Sequence, residues 1–159
     1  MGARMELVAG DVNDVLLIIG TGDHGSFEDR ARFRAHLSLG GGMDPTWLDM
    51  FSEAARSAYD SDGPIDLLDA RTELDGPADD DQSGLIIERV DPGWVTAVAR
   101  IPDTAVDALT GRWIDRIEEE LGSLPSEEKP WIRELAERIV QFCRIADRAP
   151  DVIFVWSLR

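Results

Sequence analysis

The stretch that decides the fold is residues 103–156, DTAVDALTGRWIDRIEEELGSLPSEEKPWIRELAERIVQFCRIADRAPDVIFVW. Within it Val106, Leu109, Trp113, Ile117 and Leu121 recur at three- and four-residue steps and stop before Gly122, which is the spacing of one apolar helix face with a glycine terminator. After a short connection Ser126 stands where a cap is wanted. Glu127 and Glu128 fall in the positive first turn, and Pro130 comes early enough to be tolerated. Trp131, Leu135, Ile139, Phe142 and Ala146 then form a second stripe. Two amphipathic helices joined by so short a link are expected to pack as antiparallel neighbours. Pro150 breaks the chain, and Val152-Ile153-Phe154-Val155-Trp156 is a continuous apolar run of the kind found inside a sheet. That strand needs a partner, and Leu85-Ile86-Ile87-Glu88-Arg89-Val90 is the candidate. The expected fold class is α+β: a helix-rich single domain over residues 1–159 with a small sheet that includes the strand 152–156.

Upstream, Asp44-Pro45-Thr46-Trp47 is the strongest local signal, with Asp as N-cap, Pro preorganised for the first helical position, and Leu48, Phe51, Ala55 and Ala58 on one face. Asp91-Pro92-Gly93-Trp94 repeats the device before Val95 and Val98, and Pro102 stops that helix early. The two stretches share nothing beyond Asp-Pro-x-Trp, so they are separate uses of one cap rather than an internal repeat. Asp103 is read as a third capping aspartate. Near the start, residues 5–9 read as a strand or a lead into a helix. Asp11 then caps a short buried helix through Val15–Ile19 that stops at Gly20. Ser26 with Asp29 opens a further candidate helix through Arg34, and residues 35–39 either continue it or turn into a strand before Gly40-Gly41-Gly42. Residues 60–84, rich in Asp, Gly, Pro and Ser, read as a long flexible acidic loop.

A chain of 159 residues that is 43% hydrophobic is long enough for one core. No apolar run approaches the ~20 residues needed to cross a bilayer. The first residues, MGARME, lack the layout of a signal peptide, which points to the cytoplasm. Cys143 stands alone, so no internal disulfide is expected. A net charge of -16 repels DNA, RNA and anionic lipid, all of which are held by clustered Lys and Arg, but suits a basic protein partner or plain solubility.

Candidate chemistry is sparse. His24 and His36, with Asp44 and Trp47, form the one grouping that reads as a pocket, yet the histidine spacing fits no zinc pattern. No metal or other cofactor is expected. Gly40-Gly41-Gly42 leads into a helix N-terminus, but the Asp44 carboxylate there repels a phosphate, and the Walker and dinucleotide spacings are absent. Asp79, Asp80 and Asp81 lack the interleaving of a calcium loop and are read as a solvated candidate interaction loop. Cys143, beside Phe142 on the apolar stripe, reads as a small core hydrophobe. Trp47, Trp94, Trp113, Trp131 and Trp156 fall on apolar faces or at helix starts, mainly as core.

The succession Asp91-Pro92-Gly93-Trp94-Val95, then residues 103–113, then Gln141-Phe142-Cys143-Arg144-Ile145-Ala146, then the strand 152–156, resembles the C-terminal half of the YfbM-like family of bacterial proteins. That resemblance implies a small α+β protein and carries over no catalytic residue. With no catalytic set in the sequence, the leading expectation is a non-enzymatic, protein-binding or regulatory module of an immunity-like kind. The alternative is a small-molecule binder or enzyme with its pocket at His24, His36, Asp44 and Trp47. A third expectation is self-association through the last helix pair or the strand 152–156.

Overall fold

Residues 5–9 alternate in a way only a strand satisfies: Met5, Leu7 and Ala9 face one core cluster while Val8 faces another. A computed structural model describes residues 3–22, 24–39, 45–59, 71–73 and 85–158. In chain order these form β1 (Ala3–Gly10), α1 (Val12–Thr21), a 3-10 turn (His24–Glu28), β2 (Phe33–Ser38), α2 (Pro45–Tyr59), β3 (Arg71–Glu73), β4 (Leu85–Val90), α3 (Pro92–Ala99), α4 (Val106–Leu121), α5 (Lys129–Ala146) and β5 (Asp151–Leu158). The described strands make one sheet in the order β2-β1-β5-β4-β3, antiparallel at every neighbour. The fold is α+β and helix-rich, and the sheet includes the strand of residues 152–156.

That strand pairs with β4 as expected and, on its other side, with β1 along its whole length, from Asp151 opposite Gly10 to Leu158 opposite Ala3. It is therefore the middle strand of the sheet. Val152 through Val155 are buried because helices cover one face and α1 with the 3-10 turn covers the other. Val152 and Phe154 join Phe51, Trp94, Trp113 and Ile139 under the α2–α5 layer. Ile153 and Val155 join Val15, Ile18, Ile19 and Phe27 on the opposite side.

Three aromatic rings organise the helical layer. The Phe51 ring meets Trp113 edge-on, with centroids 5.1 Å apart, and Trp94 lies 6.4 Å away on its other side. A buried indole must place its N–H on an acceptor. Trp113 Nε1 donates to the Trp47 carbonyl at 2.9 Å. Trp94 Nε1 donates to Ser52 Oγ at 2.9 Å, and that hydroxyl donates in turn to the Leu48 carbonyl. Arginines tie the helices together at the surface: Arg116 joins Glu53 of α2 to Glu120, Arg133 joins Asp107 of α4 to Glu137, and Arg144 of α5 holds the carbonyls of Ala99 and Ile101 and the carboxylate of Asp103. Exposed pairs of this kind contribute about 0–1 kcal/mol each, so they set orientation more than stability.

Several local expectations change. The helix anticipated over 26–34 is absent. Asp29 instead accepts from the Ala31 amide at 2.9 Å, an Asx turn, and the alternation of Phe33, Ala35 and Leu37 with Arg34 and Ser38 makes a strand. The pairing of β1 with β2 slips between Ala9 and Gly10, because Ala9 opposes Ala35 while Gly10 opposes Phe33, which leaves Arg34 as a bulge. The bulge turns Phe33 onto the α1 face directly over Gly10, where a Cβ would stand 2.8 Å from the Phe33 ring. Helix α1 ends at Gly22, in the left-handed region at φ 75°, rather than at Gly20. Asp11 and Asp91 cap as expected, accepting from the amides of Asn13 and Gly93, but Asp103 is held by Arg144 and α4 begins only at Val106. Ser126 starts a 3-10 turn, and α5 begins at Lys129. Residues 60–84 are not all loop, since Arg71–Glu73 pairs with β4. Asp44 and the run Asp79, Asp80 and Asp81 lie outside the described residues.

Both apolar stripes keep their expected phase, with Val106, Leu109, Trp113 and Ile117 buried on α4 and Leu135, Ile139, Phe142 and Ala146 buried on α5, and each departs from it only at one end. Ile132 is buried while Trp131 is 40% exposed, and Leu121 at the end of α4 is 60% exposed. Helix α5 packs against α3, α4 and β2 at once, so its buried face widens to include Ala136, Val140 and Cys143.

Candidate functional site

The sheet separates two of the four pocket residues expected from the sequence. On β1, Glu6 shares a face with Val8. On β2, His36 opposes Val8, which puts Glu6 and His36 on a diagonal of the same face. His36 Nε2 and Glu6 Oε1 are 3.0 Å apart, with both side chains nearly enclosed, and the imidazole lies 5.6 Å from the Phe27 ring. Trp47 belongs to the opposite, helical side, where its carbonyl receives the Trp113 indole. His36 and Trp47 therefore do not meet in one cavity. The side chain of His24 and all of Asp44 lie outside the described residues.

Glu6 was missed by sequence reasoning. Its signal was present in Met5-Glu6-Leu7-Val8-Ala9, a lone carboxylate inside an apolar run, but it becomes meaningful only once the run is a strand buried on both faces.

A second arrangement has no counterpart in the sequence reading. Strand β2 ends the sheet, with no described strand beyond it. The Leu39 amide donates to the Met5 carbonyl at 2.8 Å, so residues 35, 37 and 39 bond toward β1 and the alternate residues His36 and Ser38 turn their main-chain groups outward. Beside this edge runs α5, and between them lies a groove of about 470 Å³. Arg30 and Arg34 line one end of it. Glu134, Glu137 and Arg138 line the helix side, and Phe142 and Ile145, the latter 52% exposed, supply apolar surface. The guanidinium groups of Arg30 and Arg34 reach the carbonyls of Phe27 and Ile145, at 3.1 Å each.

Cys143 sits in the core, and burial pushes its thiol far above the ordinary range, with Asp147 adding to the shift. A thiol so placed does not supply a thiolate nucleophile. The unfolded chain, with its thiol near 8.5, loses this proton before the folded protein does. The Cys143 contribution to stability is therefore complete below that pH and declines as pH rises above it. Thermal melts at stepped alkaline pH are expected to show wild type losing up to about 1.4 kcal/mol per pH unit relative to Cys143→Ala above pH ~9. Parallel pH curves for the two proteins would refute a buried, neutral thiol.

Among the described residues no three His, Cys, Asp or Glu side chains converge as a metal site, and no helix is long and apolar enough to cross a membrane. Compared with protein families, with curated proteins and with solved structures, the chain matches none of them.

Proposed function

We propose that this protein is a non-enzymatic, cytoplasmic protein-binding module, regulatory or immunity-like in kind, and that it binds through the edge of β2 beside α5, beyond which no described strand lies. The observation that carries the reading is the pair of outward-facing main-chain positions, His36 and Ser38, the first of which lines a groove with both charged and apolar walls. Such an edge recruits an extended segment by strand addition: main-chain hydrogen bonds supply affinity, and the flanking side chains supply selectivity. The acidic surface elsewhere disfavours nucleic acid and anionic lipid as partners.

Ser38→Pro tests the reading. The Ser38 amide points away from β1, so proline leaves the β1–β2 ladder in place while it removes an outward donor. Tagged wild type and Ser38→Pro are compared by capture from extracts of the native host, with mass spectrometry of what is retained. A protein retained by wild type is expected to fall at least ~10-fold with the proline variant, the equivalent of about 1.4 kcal/mol in binding, while the two melt within a few degrees of each other. Identical retained sets would remove the groove from consideration.

A further inference from the structure

We propose that the groove receives the C-terminal end of an extended segment of another protein, added antiparallel to β2 with its terminal carboxylate on Arg30 and Arg34. The inference rests on the reading of the β2–α5 edge as a protein-binding surface and goes further by naming the part of the partner that enters.

The helix wall of the groove carries its own counter-charges. Glu134 is held by Arg138 at 2.8 Å and Glu137 by Arg133 at 3.1 Å, so neither glutamate is left to attract a partner. Arg30 and Arg34 differ from them. One nitrogen of each donates to a carbonyl, that of Phe27 and that of Ile145, and neither guanidinium makes an ion pair among the described residues. A carbonyl brings no net charge, so both cations stay uncompensated at the same end of the groove, with N–H groups left for the two oxygens of a carboxylate.

Strand polarity says which carboxylate arrives there. β2 begins at Phe33, directly after a turn in which the Arg32 and Phe33 amides donate to the Asp29 carbonyl. Every described strand pair is antiparallel, and a segment added in the same sense to the outward groups of Ser38 and His36 runs toward that turn. Its C-terminal end therefore meets Arg30 and Arg34, whereas a parallel segment would bring its N-terminal end to the two cations. Side chains of the segment that face α5 meet Phe142 and the half-exposed Ile145, whose carbonyl already holds Arg34, so the last residue is expected to be apolar. A chain of net charge -16 repels an acidic run, which favours one carboxylate at the end of an otherwise uncharged segment.

The full-length chain is screened at about 0.15 M salt against random hexapeptides displayed with free C-termini, and the peptides it selects are synthesised both as acids and as C-terminal amides. By fluorescence polarisation the acids are expected to bind with micromolar Kd, to end in an apolar residue, and to lose at least ~10-fold in affinity on amidation. Arg30→Gln and Arg34→Gln should each weaken the acid at least ~10-fold while changing the amide by no more than about threefold, which separates loss of the carboxylate contact from damage to the groove. Amidation alters the peptide alone and decides the matter should either arginine variant fold poorly. A library that yields no peptide, or acids and amides that bind alike, overturns the proposal. If acid and amide bind alike yet both are weakened by Ser38→Pro, the terminal carboxylate is wrong and the protein-binding edge stands. If Ser38→Pro changes neither peptide binding nor the set of proteins retained from host extracts, both fail.

Discussion

Trp113→Ala is expected to lower the unfolding free energy by about 3–5 kcal/mol, the range for deleting a large aromatic side chain from a packed core. Trp113 is fully buried, meets Phe51 edge-on, and spans from α4 to the Trp47 carbonyl of α2, so truncation leaves a cavity where two helices meet and no exposed atom can move in to fill it. Domains of this size are stable by about 5–15 kcal/mol in total, so one substitution removes about a fifth of the margin or more. Trp113→Phe retains most of the ring and forfeits the hydrogen bond, for which about 1 kcal/mol is expected. Urea denaturation followed by far-UV circular dichroism separates the two, with an unchanged slope confirming that the native state, and not the denatured one, was altered. A cost below ~1.5 kcal/mol for the alanine variant would contradict the packing described.

His36→Leu is expected to cost about 3–5 kcal/mol, because it withdraws one partner from a Glu6 carboxylate that is only 4% exposed, and an enclosed charge deprived of a partner is more expensive than either residue alone suggests. Replacing both members avoids that penalty. Glu6→Leu combined with His36→Leu sets two aliphatic side chains beside Phe27 and is expected to recover most of the loss, with a coupling energy above ~1 kcal/mol in the double-mutant cycle. If the single and double variants unfold at the same denaturant concentration, Glu6 and His36 are neighbours without being a pair.

The parts of the fold foreseen from sequence are those where local pattern and tertiary demand agree. Helices α4 and α5 announce themselves by four-residue steps, and β5 by an unbroken apolar run. That run also implied a strand covered on both faces, although its second neighbour, β1, was obscured by Glu6, which made residues 5–9 look mixed. The sequence leaves β2 as one of two alternatives for residues 35–39, because an aspartate that accepts from the amide two residues on serves a turn as well as a helix start. Asp29 does the former, and only the six-residue alternation behind it decides. On α5 the stripe Leu135, Ile139, Phe142 and Ala146 is legible, and only its first member departs: Trp131 stands exposed while the packing around the helix buries Ile132. The groove was invisible for a different reason. Arg34 and Ile145, which touch, are 111 positions apart, and no local pattern marks two segments that meet only when the sheet is assembled.

The strand pairing also bears on the order in which the molecule can be made. Strands β1 and β2 pair with each other, β3 and β4 pair with each other, and β5 alone joins the two sets. During synthesis at about 5–20 residues per second, the inner edge of β1 waits on the order of 7–30 s for β5 to be added. Throughout that interval the nascent chain carries two hairpin-like halves, each with an apolar inner edge open to other chains. A ribosome-bound intermediate stalled after α5 is thus the form of this protein with most to gain from a chaperone.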